Sequence, residues 1–199
     1  MAKRLFDLVV AALGLLLLSP LLLAVALLIR LDSPGPALYR QERVGRYGKP
    51  FRIHKFRTMN ASDPGGAMQI TIGADPRITR AGQLLRRTKL DELPQLWDVL
   101  VGDMSLVGPR PEVPKYVAFY PEALRDKVLS VRPGITDRAS IEYREESELL
   151  ARAADPERTY IDVVMPAKLR YAVDYVDRRS MWTDLCLIGA TAQAIWLKR

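Results

Sequence analysis

The chain has 199 residues and a formal net charge of +7, with one cysteine and one histidine. One domain plus an appendage is the natural expectation at this length, and the positive balance points to an anionic partner such as a phosphorylated substrate, an anionic membrane surface or nucleic acid. A lone Cys186 excludes an intrachain disulfide, and a lone His54 excludes a multi-histidine metal site within the chain, so any metal should be a hard ion held by oxygen.

From Leu8 to Ile29 every residue is apolar, glycine, serine or proline. As a helix these residues extend about 33 Å, enough to cross a hydrocarbon core of about 30 Å. Three readings compete. Lys3 and Arg4 ahead of an Ala24-Val25-Ala26 triplet have the look of a signal peptide, but the apolar run continues past the triplet. A plain spanning helix is the second reading. Its two flanks are both basic, with Lys3 and Arg4 before and Arg30, Arg40, Arg43, Arg46 and Lys49 after, so the positive-inside rule assigns no side. The third reading breaks the helix at Ser19-Pro20. Proline removes a backbone donor and frees the carbonyl of Leu16, which the Ser19 hydroxyl can help to satisfy. A helix bent there enters and leaves on one face, with both basic flanks in the cytoplasm. A mere kink in a spanning helix is the bland alternative.

"LDSPGPALY" is a Pro/Gly-rich linker. "ALYRQERVGRYGKPFRIHKFRTM" reads as two short strands about a Gly45–Pro50 turn, and "NASDPGGAM" as a polar loop. A helix is expected from about Thr79, with Ile78, Leu84 and Leu85 inward and Arg80, Arg86, Arg87 and Lys89 outward. "GDMSLVGPRPE" and "VRPGIT" read as irregular loops. Between and after them come helices near 113–120, 122–130, 142–153 and 157–177. The last twenty residues place Trp182, Leu185, Cys186, Gly189, Ala192 and Trp196 on one helical face, which suits an interfacial helix or an ordinary core helix.

The stretch "LDELPQLWDVL" sets Asp91 and Glu92 side by side. Neighbours on an α-helix point about 100° apart, so the pair cannot share a helical face. Pro94 suits the first turn of a new helix, which puts the acids at a helix start, where acids serve as caps. A second reading takes in their surroundings. Arg86, Arg87 and Lys89 precede them, Arg110 and Arg132 lie in Gly/Pro loops, and Lys55 and Arg57 come from "HKFRTM". Converging, these cations make a diphosphate pocket; dispersed, they are solvated surface charges. Carboxylates in such a pocket can hold Mg²⁺ together with substrate phosphates, or attack phosphorus. Nearby cations favour the ionised aspartate that such an attack requires. The sequence contains no Walker A loop, dinucleotide fingerprint or zinc spacing.

"KFRTM", "LRRTKLDELPQLWDVLVGDMSLVGPRPE" and "RPGIT", in that order after an apolar segment with Ser-Pro, resemble the bacterial sugar transferases, the monotopic polyprenol-phosphate phosphoglycosyl transferases, in their minimal catalytic form. The resemblance implies an α+β, mostly helical fold. It comprises a Ser-Pro-broken re-entrant helix over 1–30, a cytoplasmic catalytic domain with a small β element over 31–180, and an amphipathic interfacial helix over 181–199. It implies an enzyme on the cytoplasmic face of the bacterial inner membrane, moving a phosphosugar from a UDP-sugar to a polyprenol phosphate with release of UMP, at the start of glycoconjugate assembly. Asp91 matches the nucleophile and Glu92 its neighbour in the Mg²⁺ site. Arg86 and Arg110 match positions near the phosphates, with Lys55, Arg57 and Arg132 as further substrate-binding matches. The partners implied are UDP-sugar, polyprenol phosphate and membrane lipid, without nucleic acid. The competing reading is a membrane-tethered anion binder. Few aromatics interleave with the basic residues, and an acid pair interrupts them, which argues against a nucleic-acid surface. One departure stands out: "RPGIT" continues here with Asp137 and "RASIEYREE" instead of a glycine and an aromatic-rich stretch, a difference that bears on sugar selection and pocket closure.

Overall fold

The computed structural model describes residues 1–60, 70–73 and 75–196; most of the expected "NASDPGGAM" loop lies outside them. Helix α1 (Ala2–Asp32) is long and apolar enough to cross a membrane. The expected break at Ser19-Pro20 does not interrupt it: helical structure runs through both residues. The local chemistry is as the sequence implies, because Ser19 Oγ donates to the Leu16 carbonyl at 2.8 Å, the acceptor that Pro20 cannot serve.

One stripe of α1 packs on the rest of the chain along its whole length. Ahead of Ser19, Phe6, Ala11, Leu15 and Leu18 join Ile53, Leu96, Val99 and Leu106 in one apolar cluster. Beyond Pro20, Leu22, Val25, Ala26 and Ile29 pack with Phe56 and Leu85 in another. Polar ties fix both ends: Arg4 donates to the carbonyls of Val99 and Leu100, and Asp32 accepts from the Ala81 amide. The opposite stripe, including Leu5, Leu13, Leu16, Leu17, Leu23, Leu27 and Leu31, is exposed. An apolar surface of that extent needs lipid or a partner to cover it.

The expected hairpin forms as β1 (Leu38–Val44) antiparallel to β2 (Pro50–Phe56), with Tyr39 opposite Lys55. Strand β2 is gripped from two sides, since Ile53 enters the first cluster and Phe56 the second. Helix α2 (Arg80–Thr88) starts where expected, with Thr79 Oγ1 accepting from the Gly82 amide. Its inward face differs from the expectation: Leu85 is buried, but Leu84 is 53% exposed. Gly82 is required here, because a Cβ on it would lie 2.1 Å from the Thr58 carbonyl oxygen. Lys89 then adopts a left-handed conformation (φ 59°) and ends the helix. A 3₁₀ turn, Leu90–Glu92, leads into α3 (Gln95–Val101).

Two segments expected as irregular loops contain a short parallel pair, β3 (Ser105–Val107) and β4 (Gly134–Thr136). Strands of three residues carry no readable alternation. Their approach depends on glycine at both Gly108 and Gly134, where a Cβ would fall within 2.5 Å of the facing backbone. The remaining helices are α4 (Pro114–Val117), α5 (Glu122–Val128), α6 (Arg138–Glu142), α7 (Glu146–Ala151), α8 (Pro156–Thr159), a π turn over Tyr160–Val164, α9 (Met165–Arg178) and α10 (Met181–Trp196). Tyr116, Leu150, Tyr160, Val164 and Leu169 form the core of this helical half. Helix α10 has one exposed and one packed face. Trp182, Leu185, Cys186, Gly189 and Ala192 are exposed, whereas Asp184 is fully buried and Leu187 and Ile188 pack inward. The side chain of Trp196 lies outside the description.

Candidate active site

The left-handed turn at Lys89 and the 3₁₀ turn after it release Asp91 and Glu92 from the α-helical 100° constraint. Both acids are 8% exposed, at the junction of α2, β2 and α3. Glu92 is fully engaged. It pairs with Lys55 Nζ at 2.9 Å and with both terminal nitrogens of Arg110. Burial alone would raise its pKa, but Arg110 and Lys55 outweigh burial and hold it well below the usual carboxylate range. The same pairing raises the Arg110 pKa further. Burial lowers Lys55 to about 8 despite its bond to Glu92.

Asp91 is the opposite case. Its Oδ1 is buried and has no hydrogen-bond partner among the described residues. Its pKa is raised, first by burial and next by the charge of Glu92; Lys55, Lys89 and Arg86 offset this only in part. The expectation that surrounding cations lower the Asp91 pKa is therefore corrected: burial and the neighbouring Glu92 charge outweigh them. A buried carboxylate with an unmatched oxygen, next to bound cations, is a site prepared for an electropositive ligand.

Arg86 reaches the same site from α2. Its Nε donates to Thr58 Oγ1 at 2.9 Å and an Nη to Thr71 Oγ1 at 3.2 Å, and its charge is felt by Asp91. Arg110 is carried by the loop after the Gly108–Gly134 contact. Asp137 reinforces it: one carboxylate oxygen accepts from the Arg110 amide at 3.3 Å and the other caps α6 through the Ser140 amide at 2.8 Å.

Two of the expected cations do not join the site. Arg57 is 5% exposed, and its guanidinium binds the carbonyls of Ser33, Pro34 and Pro36 and the Ser33 hydroxyl, fastening the linker that leaves α1. Arg132 donates to the Gly102 carbonyl at 2.7 Å, at the C-terminal end of α3; a cation there meets the negative end of the helix dipole. Neither distinction is visible in a list of basic residues. The sequence reading also missed the pair of His54 and Asp98. Asp98, 1% exposed, accepts from the His54 amide at 2.9 Å and lies 2.5 Å from its ring Nδ1, tying α3 to the residue beside Lys55.

Residues 1–198 match the bacterial sugar transferase family. The chain is 38% identical over 192 residues to the UDP-glucose:undecaprenyl-phosphate glucose-1-phosphate transferase of Escherichia coli K12, covering 95% of this chain and 39% of that protein. It is 39% identical over 196 residues to the protein of the same name from Caulobacter vibrioides, covering 97% and 69% respectively. Similarity to the UDP-N-acetylgalactosamine-undecaprenyl-phosphate N-acetylgalactosaminephosphotransferase of Aeromonas hydrophila is 37% over 195 residues, or 97% of this chain and 43% of that one. The chain thus spans well under half the length of two of these relatives, while the family match spans nearly all of its own. With that match over nearly its whole length, this chain belongs to the bacterial sugar transferase family.

Proposed function

We propose that the chain transfers a phosphosugar from a UDP-sugar to a polyprenol phosphate such as undecaprenyl phosphate, giving polyprenol diphosphate sugar and UMP, as the first membrane step of glycoconjugate assembly. The observation that carries this reading is the contrast between neighbouring acids: both oxygens of Glu92 are paired with Lys55 and Arg110, and Asp91 keeps a buried oxygen free among the described residues. Asp91 attacks the sugar-bearing phosphorus, the bond to the UMP oxygen breaks, and UMP leaves with the electron pair. An oxygen of the lipid phosphate then attacks the same phosphorus and regenerates the Asp91 carboxylate. Lys55, Arg86 and Arg110 face the charge that builds on the phosphoryl oxygens.

Mg²⁺ fits this donor set. It needs only one or two carboxylates plus substrate phosphates, and the unpartnered Asp91 oxygen supplies a first ligand. Asp91 would hold the ion, joined by Glu92 through Oε2, which takes only the 3.2 Å bond from Arg110, and its chemistry there would be to neutralise the diphosphate.

The packing of α1 supports placement on one face of the inner membrane. A helix crossing the bilayer separates its ends by the hydrocarbon thickness of about 30 Å, yet here Arg4 at one end and Asp32 at the other are bonded to the same domain. The family resemblance adds that the face is cytoplasmic. A cysteine introduced at residue 2 should label from the cytoplasm, and labelling only from the periplasm would overturn this topology.

The test of the reaction is UMP release from a panel of UDP-sugars with undecaprenyl phosphate and Mg²⁺. A panel is needed because relatives of nearly equal identity bear names with different sugars. Release should require lipid, metal and Asp91. No release with any sugar by a folded sample would end the reading, and release that survives Asp91→Asn would end the covalent step.

A further inference from the structure

A cavity of about 190 Å³ opens beside the Glu92–Arg110 pair, between the start of α3, β4, α6 and the inner face of α10. Its walls are mainly carbon, from Leu93, Leu96, Ile135, Ile141, Ala194 and Ile195. Its charged rim holds three cations, Lys89, Arg110 and Arg144, against one acid, Glu92. Such a shape selects an amphiphilic anion, with the phosphate at the rim and hydrocarbon within. A sugar or a uracil ring would leave most of its polar groups without partners against these walls.

Resting on the transfer reading above, we infer that this cavity seats the first isoprene units of the lipid acceptor, with the lipid phosphate at the Arg110 end, and that α10 forms its outer wall. Two further features support this assignment. The cavity adjoins the membrane helix, because Leu96 in its wall packs against Gly14 of α1, where an added Cβ would lie 3.1 Å from Leu96 Cδ1. The outer face of α10 carries exposed Trp182, Leu185 and Cys186, so the wall of the cavity is itself a lipid-facing element. Arg144 donates to the Ala194 carbonyl, and Thr136 and Thr191 hydroxyls meet at 2.5 Å, closing α10 over the cavity.

The two half-reactions separate the outcomes. Exchange of labelled UMP into UDP-sugar, without lipid, reads only the first; transfer to undecaprenyl phosphate reads both. Ala194→Phe fills the cavity without touching the acid pair. It should leave exchange within about twofold of native while raising KM for undecaprenyl phosphate by at least about fivefold, the scale of an overpacked apolar site. Ile141→Ala, which enlarges the cavity, should move the same constant and spare exchange, and it replaces the first variant should that one fail to fold. An unchanged lipid KM, or equal losses in exchange and transfer, would overturn the assignment. Absence of exchange in the native chain would remove the covalent transfer reading, and this assignment with it.

Discussion

Two of the places where the molecule buries carboxylates treat them differently. At the foot of α1, Asp7 accepts from the Ser105 hydroxyl at 2.8 Å and from the Leu106 amide, and Asp184 of α10 accepts from Tyr175 at 2.8 Å. Lys3 bridges the two acids, at 2.6 Å from Asp184 and 3.5 Å from Asp7. Every one of these oxygens has a partner, and the cluster joins α1, β3, α9 and α10. At the Asp91–Glu92 pair, the cations are equally close but unevenly divided, and Asp91 is left short. Buried polar groups that are fully satisfied specify a fold. One that is left short stores the capacity to bind. The same residue type thus fastens the apolar helix in one cluster and, in the transfer reading proposed above, serves chemistry in the other.

The sharpest way to break this comparison is to remove one acid from each cluster. Asp91→Asn should lower transfer by about 10³-fold or more, as expected when a nucleophile is lost. Its thermal stability should be equal to or above native, because a raised carboxylate pKa means that the ionised form costs stability at neutral pH. A clear drop in Tm would show that Asp91 is a structural acid after all. Asp184→Ala should do the reverse. It should cost about 1–3 kcal/mol of stability by removing the buried acceptor that Tyr175 and Lys3 share and so loosening α10, although Tyr175 keeps the Val107 carbonyl and Lys3 keeps Asp7. Denaturation read by the near-UV signal of the tryptophans would measure this cost. Exchange of UMP into UDP-sugar by the surviving folded protein should be nearly native.

Much of this architecture was legible in the sequence because it rests on strong local signals. The apolar run of α1, the glycine- and proline-marked hairpin, the Thr79 cap and the helix start at Pro94 each follow from a residue's own conformational preference. The acid pair stood out as adjacent charges in a basic segment. What could not be read was which partner each charge takes. Arg57 and Arg86 are both cations in basic segments, with a threonine one or two residues on, yet one straps the linker through five oxygen acceptors and the other reaches toward Asp91. Such choices are made by tertiary packing, as when Gly82 brings α2 onto Thr58 or Gly108 meets Gly134. The β3–β4 pair escaped for the same reason: it is made by a close backbone approach between segments nearly thirty residues apart, with too few residues to show a period.

The smallest expected effect refines the division of charge within the active cluster. Lys55 is lowered by burial to about 8 from an ordinary 10.5, whereas Arg86 and Arg110 remain charged throughout the accessible range. Between those two values the unfolded chain holds a proton that the folded chain has released, so the Lys55 contribution to stability rises with pH across that window and is lost as pH falls through about 8. Activity should move the other way. Above pH 8 the ammonium that faces the phosphates and balances Glu92 is gone, so transfer should fall along a limb centred near 8. Lys55→Arg keeps a charge there at some loss of fit, and its pH profile should lack that limb. Identical alkaline limbs in native and Lys55→Arg would assign the titration to another group, and would leave Arg110 as the cation that decides how Glu92, and through it Asp91, meets the substrate.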